Sequence, residues 1–151
     1  MTELRFPKPA RNARKSAKRG QTSKRRNKEK ALKRECAKLW ADWIKREGRC
    51  DFIGKFVGNR QHLRCAGSLQ AMHGFGKKAY PGVRYATWNG IPGCGAVHVF
   101  YTHHPELWCE ELRSRWGAET YVWRLLEAVE TKKYDLEQVA ATYKAALSGV
   151  D

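Results

Sequence analysis

Apolar side chains recur at intervals of three and four residues in two parts of the chain, over residues 31–47 and again over residues 105–148. This spacing predicts amphipathic helices whose apolar faces form a core. Gly48 ends the first helix, because glycine favours the position just after a helix. The tryptophans of this helix are interpreted as packing residues rather than as platforms for nucleic-acid bases. Its apolar stripe comprises Leu32, Cys36, Leu39, Trp40, Trp43 and Ile44.

The C-terminal part predicts three further helices. Pro105 suits a first helical position, and Gly117 ends that helix. A second helix is expected over about residues 119–131. The third opens with Asp135 and Gln138, spaced as an N-cap and its N3 partner.

Residues 48–104 have a different pattern, with frequent glycines between short apolar pieces. This part has room for one short hairpin and for no long helix. We therefore predict an α+β, mostly helical fold. A single domain over residues 31–151 follows an N-terminal arm of residues 1–30.

Charge separates the arm from the domain. The chain has 30 Lys and Arg against 15 Asp and Glu, a net charge of +15. Residues 1–34 hold 14 cations and 2 acids (14 − 2 = +12), which leaves 16 − 13 = +3 for residues 35–151. With so few apolar side chains, the arm is predicted to be disordered when free.

A nucleic acid is the expected partner of the arm, because each neutralised phosphate releases counterions. We assign phosphate binding to Lys24, Arg25 and Arg26. The alternatives are a solubilising tail or an anionic membrane surface, and the arm lacks the apolar face that membrane binding favours. The sequence shows no apolar stretch that would span a bilayer and no apolar secretory core, so a cytoplasmic location is expected.

Cysteine and histidine concentrate in the central part, where three of five cysteines and all five histidines lie between positions 50 and 104. Disulfides are disfavoured in a cytoplasmic protein, and metal is the natural alternative. His62, three residues before Cys65, is either a fourth ligand or a surface histidine. Cys36 and Cys109 lie within amphipathic helices and are interpreted as small buried hydrophobes. The candidate ligands for a structural zinc ion are Cys50, Cys65 and Cys94.

An ordered motif runs through the same part of the chain. It comprises Leu69-Gln-Ala-Met-His73, then Arg84 to Asn89-Gly, then Cys94-Gly-Ala-Val-His98 followed by residues 99–108. The motif resembles the HNH endonucleases of phages and prophages, and is most similar to the small group related to NinG-type recombination proteins. The resemblance covers roughly residues 48–117 and leaves the arm and the last two helices outside it.

The resemblance implies a ββα-metal finger that cuts phosphodiesters with one divalent ion, Mg²⁺ or Mn²⁺. It implies His73 as the general base, His98 as a metal ligand, and Asn89 as the residue that holds either the loop or the metal in place. The groups that would grip the phosphate are Arg84, Lys77 and Lys78.

Two positions depart from the family pattern. Val97 stands where the family has a second cysteine, which removes one zinc ligand. Met72 stands where many members have an oxygen or nitrogen ligand, and Mg²⁺ prefers oxygen. His103 or His104 would compensate only if the usual ligand spacing were relaxed, and the alternative for both is a helix-entry or surface role.

The sequence therefore predicts a metal-dependent DNA endonuclease, active in phage DNA processing or recombination. The alternative is a non-catalytic nucleic-acid-binding protein on a degenerate HNH scaffold, which would bind DNA without cutting it. A structural protein that packages nucleic acid is a weaker third hypothesis.

Overall fold

The computed structural model describes residues 13–54, 65–130 and 133–149, with side chains from Thr22 onward. In chain order the elements are α1 (Ala13–Ile44), β1 (Leu69–His73), β2 (Gly90–Cys94), α2 (Gly95–His103), α3 (Pro105–Trp116), α4 (Ala118–Val129) and α5 (Leu136–Ser148). Two single-turn 3₁₀ helices, Pro81–Val83 and Thr87–Asn89, lie between the strands. The mostly helical α+β prediction is confirmed.

The two strands pair antiparallel, from Leu69 opposite Cys94 to His73 opposite Gly90. This is the single short sheet expected from the glycine-rich central part. Residues 74–89 join the strands, and α2 begins directly after β2. His73 and Cys94 thus lie at opposite ends of one small sheet.

The first helix is longer than predicted. Residues 13–30 were expected to be disordered, yet α1 runs from Ala13 to Ile44 without interruption. Lack of apolar surface argues against packing but not against helix, because Ala, Lys, Arg and Gln are all good helix formers. Once the packed half of α1 has nucleated, adding each further residue costs little. Residues 1–12 of the predicted arm lie outside the described residues.

The C-terminal helices match the predicted positions. α3 begins at Pro105 and ends before Gly117. Asp135 caps α5, since its side chain accepts hydrogen bonds from the backbone N–H groups of Glu137 and Gln138. No helix in the described part of the chain is long and apolar enough to cross a membrane.

Apolar packing forms two clusters. One joins the sheet to α2, α3 and α4 through Phe52, Phe75, Val97 and Leu112. The other joins α1 to α5 and includes Cys36, Trp40, Ile44, Tyr85 and Tyr143. The predicted apolar stripe of α1 is therefore core, and Cys36 is a buried hydrophobe as expected.

A glycine allows α1 to approach the sheet closely. A Cβ atom at Gly90 would overlap the side chain of Ile44 and would lie 2.9 Å from the Trp40 ring. The Trp40 indole donates a hydrogen bond to the carbonyl of Ala86 at 3.1 Å. These contacts set Trp40 beside the end of β1, where His73 lies.

Candidate active site and metal centre

Three cysteines distant in sequence meet at one end of the sheet. The Sγ atoms of Cys50, Cys65 and Cys94 all lie within 4.8 Å of one another. Cys94 ends β2 and is the N-cap of α2. The backbone of Asp51 donates to the carbonyl of Pro92 at 2.9 Å, and its carboxylate accepts from Arg115 of α3 at 2.6 Å, so the segment after α1 is fixed against β2.

The thiols of this trio influence one another. The backbone N–H of Cys94 donates to Sγ of Cys50 at 3.2 Å, and the sulfurs of Cys65 and Cys50 lie 3.5 Å apart. Burial alone would raise the pKa of Cys94, but hydrogen bonds to its sulfur, including those from the backbone of Val97 and Ala66, bring that pKa below its ordinary value. Partial burial of its sulfur, together with the hydrogen bonds and charge of the other two thiols, raises the pKa of Cys65 to about 12.

The hydrogen bonds that lower the pKa of Cys94 and raise that of Cys65 favour one thiolate in the trio. A single thiolate is stabilised at the start of α2, and a second or third would be repelled by it. A soft divalent cation such as zinc removes this repulsion and prefers thiolate ligands. The three cysteines therefore form a site that could bind a metal ion.

No fourth His, Cys, Asp or Glu among the described residues joins the trio. The side chain of Val97 is fully buried among apolar side chains of the core, so only its backbone contacts the cysteine site. His62, the predicted alternative, lies outside the described residues. Cys109 lies on α3, apart from the trio, and is half-buried.

His73 occupies the other end of the sheet, where β1 finishes. Its ring stacks on Trp40, with the ring centroids 4.2 Å apart and the planes 21° from parallel. Nε2 lies 3.2 Å from the carbonyl oxygen of Arg84. Because a carbonyl only accepts, Nε2 carries the proton and Nδ1 keeps a lone pair in the neutral ring.

The surroundings of His73 favour this neutral form. Burial lowers its pKa to about 4, and the nearby cations Lys77 and Arg84 act in the same direction. This pKa lies well below 6.5, the ordinary value of an imidazole. At neutral pH the ring is therefore unprotonated with one free lone pair, and it remains a weak base until a bound anion offsets the neighbouring cations.

His98 faces the same cavity from α2. Its Nδ1 lies 2.5 Å from Oε1 of Gln70 on β1, so Nδ1–H donates to the amide oxygen and Nε2 is left free. A histidine oriented in this way is a typical metal ligand. Gln70 is a site residue that the sequence did not identify, because its role depends on the contact between β1 and α2.

His73 and His98 line a cavity of about 380 Å³, together with Lys77 and Arg84. Trp40 closes one wall. Two predicted phosphate-binding groups are thus brought to the histidines. Lys78, the third, is exposed on the loop after β1 and is not a lining residue. A cavity with two cations and two imidazoles is suited to an anionic ligand.

Asn89 has a structural role. Its side chain is fully buried. Nδ2 donates to the carbonyls of Val83 and Phe75 at 3.0 and 3.1 Å, while Oδ1 accepts from the backbone of Phe75 at 2.6 Å. Of its two predicted roles, Asn89 therefore holds the loop, and the metal-ligand prediction for Asn89 is corrected.

Asn89→Asp is expected to lower the free energy of unfolding by about 3 kcal/mol, because it removes two buried hydrogen bonds and sets a carboxylate against two carbonyl oxygens. Urea unfolding at pH 7 measures the change. Asn27→Asp, on the exposed surface of α1, is the matched control and should change the value little. An equal effect of both variants would show that added charge, not the loop clamp, is responsible.

The remaining predicted metal ligands do not join His98. Met72 is buried in the core, with its sulfur against Gly93. His104 pairs with Glu106 at 3.5 Å at the start of α3, which fits the helix-entry alternative, and His103 is exposed on the last turn of α2. Within the described residues, the cysteine trio is the only cluster of three His, Cys, Asp or Glu ligands.

The stability of the protein is expected to fall on mild acidification, through His73. Its pKa is about 4 in the folded protein and 6.5 when unperturbed, so between these values the unfolded chain binds more protons and stability rises with pH. Since the ring is partly exposed, we expect a loss of about 1 kcal/mol between pH 7 and pH 5.

Urea unfolding at both pH values compares the wild type with His73→Gln and His103→Gln. His73→Gln should lose less stability than the wild type, whereas His103→Gln should follow the wild type. Acid release of a metal from the cysteines affects all three proteins equally. Identical pH profiles would mean that His73 is protonated as readily in the folded as in the unfolded chain.

Compared with protein-family models, with curated proteins and with solved structures, the chain gives no match. The geometry of the two histidines and of the cysteine trio is therefore the basis for assigning a function.

Proposed function

We propose that this protein is an HNH-type endonuclease that hydrolyses DNA phosphodiester bonds. The observation that carries the proposal is the geometry at His73: Nε2–H is held by the Arg84 carbonyl, and Nδ1 is free beside two cations that suit a phosphate. The order β1, β2, α2, with His73 on the first strand and His98 on the helix, also agrees with a ββα-metal finger.

In this mechanism His73 acts as the general base. Nδ1 takes a proton from a water molecule as the water oxygen bonds to phosphorus, and the bond from phosphorus to the leaving sugar oxygen breaks. Lys77 and the guanidinium of Arg84 hold the phosphate oxygens at the cavity. The hydrogen bond from Nε2 to Arg84 keeps the ring oriented while the proton moves.

His98 is the residue that would hold the divalent ion, through Nε2. When bound, such an ion supplies a positive charge that stabilises the phosphate and the leaving oxygen. One imidazole without a carboxylate suits Mn²⁺ or another transition metal better than Mg²⁺. Activity is therefore expected to be higher with Mn²⁺ than with Mg²⁺.

Nicking of supercoiled plasmid by the purified protein tests the proposal. Reactions with added Mn²⁺, with added Mg²⁺ and with no added divalent ion are compared for the wild type and His73→Ala. Omitting the ion is preferable to a chelator, which would also remove metal from the cysteine trio. Nicking that is equal in the two proteins would show that the activity does not come from this site.

Met72 favours a second candidate function, a non-catalytic DNA-binding protein. Met72 is buried in the core, and β1 has no carboxylate to share a divalent ion with Nε2 of His98. This candidate predicts salt-sensitive DNA binding and no nicking with any divalent ion.

A further inference from the structure

The helix α1 has two functionally different sides. One side faces α5, where Lys28 pairs with Glu137 at 3.2 Å and Glu35 pairs with Lys144 at 2.6 Å. Cys36 on the same side donates its thiol hydrogen bond to the backbone of α5 at 3.2 Å. Positions 28, 32, 35, 36, 39 and 43 follow one another at spacings that keep them on this side of a helix.

The opposite side of α1 leads into the cavity. Ala37, Trp40 and Ala41 line the cavity beside His73. Towards the N-terminus, the same helical spacing continues through cations rather than alanines. These cations, which we call the basic stripe, are Arg26, Lys30, Lys33 and Arg34.

All four side chains of the basic stripe are exposed. Lys33 pairs with Glu29 within the helix, whereas no salt bridge in the described part of the chain engages Arg26, Lys30 or Arg34. On the α5 side Lys28 meets a carboxylate of this protein, whereas Arg26, Lys30 and Arg34 of the stripe face solvent in line with the cavity. This division points to an external polyanion at the stripe.

We infer that the basic stripe binds the backbone of duplex DNA and forms a track along which the duplex reaches His73. This inference rests on the proposed nuclease function. Residues 22–39 contain no aromatic side chain, so the stripe offers phosphate contacts without the stacking platforms typical of single-strand binding. A double-stranded substrate is therefore the class that the stripe fits.

The length of the track sets a requirement on the substrate. Arg26 precedes Trp40 by 14 residues, a rise of about 21 Å along a helix, which corresponds to about six base pairs of duplex DNA. The substrate must therefore extend about six base pairs from the cut on the side that follows α1. On the other side of the cut, the stripe requires no minimum length of duplex.

Two triple variants test the track, because they remove equal charge on and off the stripe. The stripe variant is R26Q/K30Q/R34Q, and the matched control is K28Q/K38Q/K144Q, which removes three exposed cations of α1 and α5 outside the stripe. Glutamine is a good helix former, so both chains should keep α1. Affinity is measured for a 30-base-pair duplex without added divalent ion, across a range of salt concentrations.

The stripe variant is expected to bind roughly 100-fold more weakly at low salt, with the slope of log affinity against log salt reduced by about 2 to 3. The control is expected to stay within about threefold of the wild type. Equal losses in the two variants would overturn the inference, because binding would then depend on total charge alone. If single-stranded DNA binds the wild type as tightly as the duplex does, and loses the same affinity in the stripe variant, the assignment of duplex DNA as the substrate would be overturned.

Duplexes shortened on one side of a nick site test the length requirement in the same binding assay. Affinity should fall once one arm becomes shorter than about six base pairs and should be insensitive to the other arm. If the two triple variants differ in affinity for duplex DNA but the wild type cuts no DNA, the track is supported and the nuclease proposal fails. If the wild type nicks plasmid through His73 but the two variants bind DNA equally, the nuclease proposal is supported and the track fails.

Discussion

His73→Ala is expected to reduce metal-dependent plasmid nicking by about 10² to 10⁴-fold, the usual contribution of a positioned general base. The reason lies in the two nitrogens of the ring. Nε2–H is engaged by the Arg84 carbonyl, so Nδ1 is the nitrogen that can accept a proton. The other imidazole that lines the cavity, His98, has its Nδ1 engaged by Gln70.

His103→Ala is the matched control, since it removes an imidazole from the exposed end of α2. It should nick within about twofold of the wild type. His73→Gln is a second variant, because alanine removes the ring that stacks on Trp40 and so also affects packing. Loss of nicking in His73→Gln, with duplex binding and melting temperature retained, separates the chemical role from the structural one. Wild-type nicking by both His73 variants would contradict the mechanism.

Local sequence signals were sufficient to predict the C-terminal helices. Pro105, Gly117 and Asp135 act on the residues next to them, and each marks a helix end in the structure as predicted. The extent of α1 was missed because the sequence was judged by its apolar content. A run of Lys, Arg and Ala without an apolar face still favours helix when the next three turns are packed.

The sequence predicted which residues belong to the candidate site but not the contacts between them. The cysteine trio was identified from residue type, and its three members do meet. The stacking of His73 on Trp40 and the hydrogen bond from His98 to Gln70 join residues 33 and 28 positions apart. Nothing in the local sequence encodes such contacts, since they depend on how α1 and α2 dock onto the sheet.

The role of Asn89 likewise depends on contacts that the local sequence does not encode. As a polar residue in the middle of the motif, it was a reasonable candidate ligand. Its complete burial follows from the loop of residues 74–89, which folds back and turns three backbone groups towards the amide. A buried amide must satisfy its own hydrogen bonds, so in this setting the side chain stabilises the loop that carries Arg84.

Cys50→Ser is expected to abolish stoichiometric zinc binding and to lower the free energy of unfolding by about 5 kcal/mol, because a structural metal site contributes its binding energy to folding. For a chain of this size, the melting temperature should fall by about 10–20 °C. Cys50 is the most informative member of the trio, since its sulfur contacts both the Cys65 thiol and the backbone N–H of Cys94. Zinc content by elemental analysis and thermal unfolding of the same preparations measure the two effects.

Cys109→Ser is the control, because this thiol lies on α3 apart from the trio; it should retain zinc and melt near the wild type. His62→Ala tests the fourth ligand and should weaken zinc retention if that imidazole completes the site.

A wild-type protein that contains no metal and melts like Cys50→Ser would show that the trio is only a packed group of thiols. In that case the two ends of the sheet are independent, and loss of Cys50 should leave nicking through His73 intact. If the trio does bind zinc, one ion would hold together the segment after α1, the segment just before β1 and the junction of β2 with α2. Cys50→Ser should then impair nicking as well, because His73 and His98 are positioned by those strands and that helix.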